Sequence, residues 1–368
     1  MVPPAMIDSA PFNITKSHSL SPKGNGIPRI PFHVNIAADN RHDQLVQVVK
    51  LICPLLDSGV YQSQPLTGGL SNELFVVSKG SQAVLVRIHP YGESIVNHQE
   101  ESRILAWLSQ QGDAPKLYGL FRNGRIEQFL QDYFPLSYSD MPRYTVPLAR
   151  HMANLHRKEV PCGVLSTTSK SVWNRIDTWF DMALERSCDP ELSTMLIQWN
   201  WVKDQLVNPF SIDPIVAFTR QTVFCHMDLQ SLNILKKDKE ETLRIIDYEY
   251  AGMHPRAVDI ANTWLEYCDM NNLKANYRGD YPSEDQQNDF LREYLLHTQP
   301  TWKKEEKILM KLRMEIGKHT LVSHIGWAVW GFLQSYLSNI GFDYKAYARH
   351  RMEGYYIFRT MFFDNNHI

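Results

Sequence analysis

Apolar residues first recur at helical spacing at Leu45, Val48, Val49, Ile52, Leu55 and Leu56, which predicts a helix beginning near Asp43. The period then changes. Residues 70–77 and 83–88 read as strands, the first preceded by Thr67-Gly68-Gly69 and the two joined at Lys79-Gly80. A helix is predicted over about 94–108, with Ile104, Leu105 and Leu108 on one face. Apolar runs at 117–121 and 126–130 flank Asn123-Gly124. That dipeptide predicts a hairpin with a type I′ turn, which needs positive φ at both residues. Beyond Leu130 the pattern is mostly helical, with Leu148, Met152 and Leu155 on one face and Trp179 with Met182 on another. Short strands are predicted at 222–225 and 243–246, and helices resume from Asp259. The longest apolar stretch, 321–337, is broken by Ser323, His324, Gln334 and Ser335 and reads as a buried helix rather than a membrane span. The chain therefore reads as α+β, with a small β-rich lobe over 41–130 and a larger helical lobe over 131–368. Residues 1–40 are rich in Pro, Ser, Gly and Asn and read as a disordered tail.

Composition narrows the class. The 368 residues are 43% apolar and 21% charged, as in ordinary soluble domains, and the length suits two domains or one bilobal unit. Lys plus Arg total 38 against 40 Asp plus Glu, a formal net charge of −2, so no basic excess points to nucleic acid. Cys53, Cys162, Cys188, Cys225 and Cys268 are scattered, odd in number and without metal spacing. They read as reduced thiols of a cytoplasmic protein. The N-terminus carries Asp8 and six prolines by Pro31 without an apolar core, so it does not read as a secretory signal.

The chemistry concentrates in one segment. His226-Met227-Asp228 follows a predicted strand, and Asn233 completes the pattern HxDxxxxN. About twenty residues on, a second strand runs into Asp247. Phosphoryl transfer asks a protein mainly to position the nucleophile and neutralise charge. One Asp, Asp228, can orient and deprotonate a substrate hydroxyl. Asn233 and Asp247 offer the hard oxygens that Mg²⁺ prefers. His226 reads as a residue that holds the loop. In the N-terminal half, Arg87 ends a strand and Glu100 and Glu101 lie in the next helix, an arrangement suited to a nucleotide phosphate contact braced by a carboxylate. Gly68 and Gly69 would let a turn approach phosphates closely. Residues 127–130 would form an inter-lobe hinge facing adenine.

These residues resemble the choline/ethanolamine kinase family, which has a bilobal protein-kinase-like fold. The resemblance runs from about Leu66 to Tyr356. It is carried by Gly68-Gly69-Leu70-Ser71-Asn72, Val84 to Ile88, Pro115 to Gly119, Gly124 to Phe129 and His226 to Leu235. Its most specific pieces are Ile246 to Tyr250, Asp259 to Asn262 with Glu266, and Ser323 to Trp330. It implies ATP-dependent phosphorylation of a small amino alcohol, choline in first place and ethanolamine as the alternative, on the route to phospholipids. It implies that Asp228 is the base and that Asp247, with Asn233, holds Mg²⁺. Gly68, Gly69, Leu70, Ser71, Asn72, Arg87, Glu101, Gln128, Leu130 and Gln230 would bind the nucleotide. Glu249, Tyr250, Glu266, Trp327, Trp330 and Tyr347 would join Asp228 around the amine. A quaternary ammonium cannot donate hydrogen bonds, and aromatic faces suit it; Trp327 and Trp330, three apart, share a helix face. Spacing by itself equally fits a core stripe. Met227 stands where the family usually has Asn, and Asn271 near where choline kinases usually have Tyr. Met227 supports the reading from another class, a catalytically weak binding protein. The family often dimerises, so a homodimer is also expected; neither a nucleic acid nor a membrane span is.

Overall fold

The computed structural model describes residues 26–66, 72–89, 95–207, 213–237, 242–270, 273, 275–303, 305–338 and 340–364. They fall into two compact units, bounded by Met1–Gly92 with Ser109–Gln131 and by Glu93–Leu108 with Asp132–Ile368.

The smaller unit contains β1 (Arg29–Ile30), α1 (Arg41–Ile52), β2 (Gln62–Leu66), β3 (Glu73–Lys79), β4 (Gln82–Ile88), β5 (Leu117–Phe121) and β6 (Gly124–Gln128). The strands form one sheet in the order β1-β5-β6-β4-β3-β2, antiparallel except where β1 runs parallel to β5. Alternation turns Phe75, Val77, Val84, Val86, Ile88 and Ile126 to one face, where Leu45, Val48 and Val49 of α1 cover them. Burying each such side chain contributes roughly 1.5–3 kcal/mol.

Two expectations are corrected here. The tail does not extend to residue 40. β1 adds to the sheet, Arg122 N donates to the Phe32 carbonyl at 2.8 Å, and Val34 is fully buried. The reason is the alternation of Ile30, Phe32, Val34 and Ile36, a strand-like period within proline-rich text; all four join the small unit's core. The hairpin at Asn123-Gly124 forms, but not through a type I′ turn, because neither residue has positive φ. The Asn123 side chain instead ties in the N-terminal segment, its Oδ1 accepting from Val34 N at 3.0 Å and its Nδ2 donating to Val34 O at 2.9 Å. Gly124 serves close packing: a Cβ there would run into the Arg87 carbonyl and the Phe121 ring.

The larger unit takes up α2 (His98–Gln110) through residue 108, although the sequence pattern put this helix in the β-rich lobe. Arg103 Nε donates to the Val164 carbonyl and Ser166 N to Glu100 Oε1, at 2.9 and 3.1 Å. There follow β7 (Tyr133–Pro135), α3 (Thr145–His156), α4 (Val172–Arg186), α5 (Pro190–Leu206) and α6 (Pro214–Arg220). Next come β8 (Thr222–Cys225), β9 (Ile234–Lys237), β10 (Leu243–Ile245) and β11 (Gly252–Pro255). The unit closes with α7 (Arg256–Leu265), α8 (Glu284–Thr298), α9 (Glu306–Lys318), α10 (Thr320–Leu337) and α11 (Tyr344–Arg359). β8 pairs with β11, and β9 lies between β10 and β7. α10 is buried on nearly every side from Thr320 to Leu333, as its mostly apolar text requires, and packs in one core with α4, α5 and α11. No helix among the described residues is long and apolar enough to cross a membrane. All five cysteines are free thiols.

Candidate active site

The loop from His226 to Asn233 joins β8 to β9 and is held from beneath by α7. Asp259, fully buried, accepts His226 N on Oδ2 at 2.9 Å and Met227 N on Oδ1 at 2.7 Å. His156 Nε2 lies 3.0 Å from the same Oδ2. These contacts hold the Asp259 carboxyl below its ordinary range despite burial. His226 bonds through both ring nitrogens. Nδ1 accepts from Asp228 N at 3.2 Å, so Nε2 carries the proton donated to the Ile246 carbonyl at 3.0 Å. Burial lowers its pKa, consistent with a neutral ring that fastens two loops together.

Asp228 is buried at the head of this loop. Asn233 Nδ2 donates to its Oδ2 and to its carbonyl oxygen, each at 2.9 Å, and Gln230 Nε2 lies 3.3 Å from the same Oδ2. Burial pushes the Asp228 carboxyl well up, and the negative charges of Glu266, Asp247 and Glu249 push it further. Three carboxylates thus act on the buried Asp228, an arrangement that bound cations would stabilise. Ile246 N donates to the Asn233 carbonyl at 3.0 Å, extending the β9–β10 ladder by one step. That step brings the Asp247 loop beside Asn233. Asp247 sits there with φ 65°. The donor set, an Asp carboxylate and an Asn amide with Nδ2 already engaged, fits a hard divalent cation.

Aromatic residues gather close by. Tyr250 and Trp327 meet edge to face at 5.1 Å between centroids, and Trp327 and Trp330 at 5.4 Å. Trp330 Nε1 donates to the Tyr250 hydroxyl at 2.9 Å, and its ring stands 6.1 Å from Tyr347. Arg175 Nη1 donates to the Tyr250 carbonyl at 2.7 Å, fixing this tyrosine from α4. Trp330 and Tyr347 are buried, while Trp327 keeps partial exposure. Glu266 follows α7. Its carboxyl is raised to about 7 by burial, opposed by the Arg351 guanidinium, whose Nη1 is 3.9 Å from Oε1.

The structure therefore brings together Asp228, Gln230, Asn233 and Asp247 on one side, and Tyr250, Trp327, Trp330 and Tyr347 on the other, with the charges of Glu249 and Glu266 felt at Asp228. Gln230, expected at the nucleotide, has its amide on Asp228. Sequence reasoning missed Trp179, whose ring lies 6.1 Å from Tyr250 and 6.5 Å from Trp327; its helical period was visible but its partners were not. In the smaller unit Arg87 is buried, with Nε 3.1 Å from Glu127 Oε1, and Arg125 Nε is 2.5 Å from the same oxygen. Glu127 is thus a buried counter-ion to two guanidinium groups, which its position in a strand did not announce. Asn72 Oδ1 lies 3.1 Å from His89 Nδ1. Gln128 accepts from Lys116 N at 3.3 Å. In the larger unit His98 Nδ1 lies 3.5 Å from Glu101 Oε2. Gly68, Gly69, Leu70, Ser71 and Asn271 lie outside the described residues.

The choline/ethanolamine kinase family model matches residues 63–356. The chain belongs to the choline/ethanolamine kinase family. Among curated relatives, probable choline kinase 2 of Arabidopsis thaliana is 32% identical over 321 residues, covering 82% of this chain and 87% of the relative. Probable ethanolamine kinase A of Dictyostelium discoideum is 29% identical over 355 residues, covering 91% and 97%. The crystal structure of choline kinase from Cryptosporidium parvum aligns with TM-score 0.73 at 24% identity, over 88% of this chain and 96% of that one, and establishes the shared fold. This kinase family member thus has a protein-kinase-like fold and is an ATP-using phosphotransferase with an alcohol acceptor.

Proposed function

We propose that the protein transfers the terminal phosphoryl group of ATP to the hydroxyl of choline, giving phosphocholine. The observation that carries this reading is the aromatic group Tyr250, Trp327, Trp330 and Tyr347 beside the carboxylates that raise Asp228. An ammonium without N–H groups is held by ring faces and by the field of nearby carboxylates, each desolvated cation–π contact contributing up to about 2 kcal/mol. Glu249 and Glu266 supply that field. Asp228 accepts the hydroxyl proton. Gln230 and Asn233 bind its Oδ2, which supports Oδ1 as the proton-accepting oxygen. Burial and the neighbouring carboxylates raise the Asp228 carboxyl, and a bound ammonium and metal ion would lower it again, so that the ionised form is present to accept the proton. Asp247 and Asn233 would hold Mg²⁺, which would supply neutralisation of the phosphate charge. Arg87, Asn72, Glu101, Gln128, Leu130 and Gln230, with Gly68, Gly69, Leu70 and Ser71, are assigned to the nucleotide.

Ethanolamine is the second reading. Its primary ammonium needs acceptors, and Glu249 and Glu266 favour it. Relatives of both names support the class rather than the choice. The deciding experiment is ADP release with Mg-ATP and either amine over a concentration range. A higher kcat/KM for choline supports the proposal, and a preference for ethanolamine reassigns the pocket. Thermal stabilisation by both ligands without turnover would favour the binding-protein reading.

A further inference from the structure

Asn262 lies on α7 at 1% exposure, and no step above uses it. Its amide faces two ways. Nδ2 donates to the Met227 carbonyl at 3.3 Å. Oδ1 accepts from the Trp327 indole at 2.8 Å and from the Ser323 hydroxyl at 2.6 Å. Two donors at one end and a carbonyl at the other fix the amide's orientation. Ser323 accepts in turn from Arg351 Nη2 at 2.8 Å, and Arg351 reaches toward Glu266. One buried amide therefore joins the peptide just before Asp228 to an aromatic residue and a carboxylate of the amine pocket.

Met227 needs holding. Its φ of 71° lies in the left-handed region, which the Cβ of an ordinary side chain disfavours. The other non-glycine residues with positive φ among those described, Asp132, Asp247 and Asp269, are aspartates, a type that tolerates the region better. Both polar atoms of Met227 are gripped from α7, N by Asp259 and O by Asn262. Asp228 follows at once, so its carboxylate is aimed by this peptide. A displacement of Trp327 acts on the oxygen of the same amide whose nitrogen holds the loop.

We propose that Asn262 is a positioning residue that couples occupancy of the amine pocket to placement of Asp228. This rests on the reading of Trp327 as an amine-binding residue. It gives the chain a physical link between the two sites through one group with two sets of partners, rather than through proximity.

The test is steady-state kinetics of the full chain with Mg-ATP and choline or ethanolamine, whichever is turned over. Asn262→Ala should lower kcat about 10- to 100-fold, as loss of a supporting hydrogen bond does at other tuned sites. It should also raise the amine KM while leaving the ATP KM within about twofold. Trp327→Phe keeps a ring and loses the N–H. Combined with Asn262→Ala it should cost less than the product of the two single effects. Met227→Asn, which accepts left-handed backbone, should restore kcat of Asn262→Ala at least threefold. Multiplicative single effects, or absence of that rescue, overturns the proposal. If Asn262→Ala does not fold, Asn262→Asp carries the test. It keeps the acceptor for Trp327 and Ser323 but has no N–H for Met227, so kcat should fall at least tenfold with the amine KM within threefold. Unchanged kcat there overturns the coupling. Wild-type protein inactive with both amines overturns the functional reading beneath it, and active wild type with uncoupled variants overturns the coupling alone.

Discussion

With Glu266 assigned to the cation as proposed, amine binding should depend on pH. Burial raises its carboxyl to about 7, above the ordinary glutamate value of 4.5, with Arg351 opposing. The ionised form is the one that attracts an ammonium. Below pH 7 the group is mostly protonated and the attraction is lost; above it the charge is present. If only the ionised form binds, the apparent amine KM scales as one plus the ratio of protonated to ionised carboxylate. That ratio is about 0.1 at pH 8 and about 10 at pH 6, so KM should rise about tenfold across the interval. The assay is ADP release at saturating Mg-ATP with varied amine, repeated at intervals from pH 6 to 8. The ATP KM, measured at saturating amine, should not share the trend. Glu266→Gln should raise the amine KM at pH 8 and flatten its dependence. An amine KM that stays constant from pH 8 to 6, or tracks the ATP KM, would refute the assignment of Glu266 to the cation.

Two further outcomes follow from buried charge. Glu127→Ala removes the carboxylate shared by the buried Arg87 and Arg125. It should destabilise the protein by about 3–5 kcal/mol, read as a lower denaturant midpoint; an unchanged midpoint would show the pair to be dispensable. Burial holds His156, His226, His254, His319 and His324 below the ordinary imidazole pKa, His319 at about 4. Neutral rings favour the native state above pH 6.5, and each lowered group loses its contribution as pH falls below that toward its folded value. His319 alone would account for about 3 kcal/mol between pH 6.5 and 4. Equilibrium unfolding should weaken over that window, and His319→Gln should make the slope shallower.

What could be read from the sequence was mostly local. The strand at Thr222–Cys225 and the buried helix near 321–337 appear where the apolar pattern put them, because each carries its period within a few residues. The strand expected at 243–246 appears at Leu243–Ile245. The hairpin was legible from Asn123-Gly124, but its turn geometry was not, since Val34, far away in sequence, recruits the Asn123 side chain. Val34 itself was hidden by the prolines that precede it, Pro28 and Pro31. At the site, the order His226, Asp228, Asn233 lies in one loop and was visible. Glu127 beside Arg87 is a pairing 40 residues apart across β4 and β6, and no short-range signal marks it. Trp179 and Asn262 were missed for the same reason: each looks like an ordinary helix residue until α4, α7 and α10 converge.

On the proposed mechanism, Asp228 removes the proton of an amino-alcohol hydroxyl during phosphoryl transfer. The most direct test is amine-dependent ADP release by Asp228→Ala beside the wild type, with circular dichroism and thermal melting to verify the fold. A positioned general base contributes about 10²- to 10⁴-fold, so a folded variant should lose at least a hundredfold in kcat. A folded Asp228→Ala protein with near-normal kcat would contradict the account.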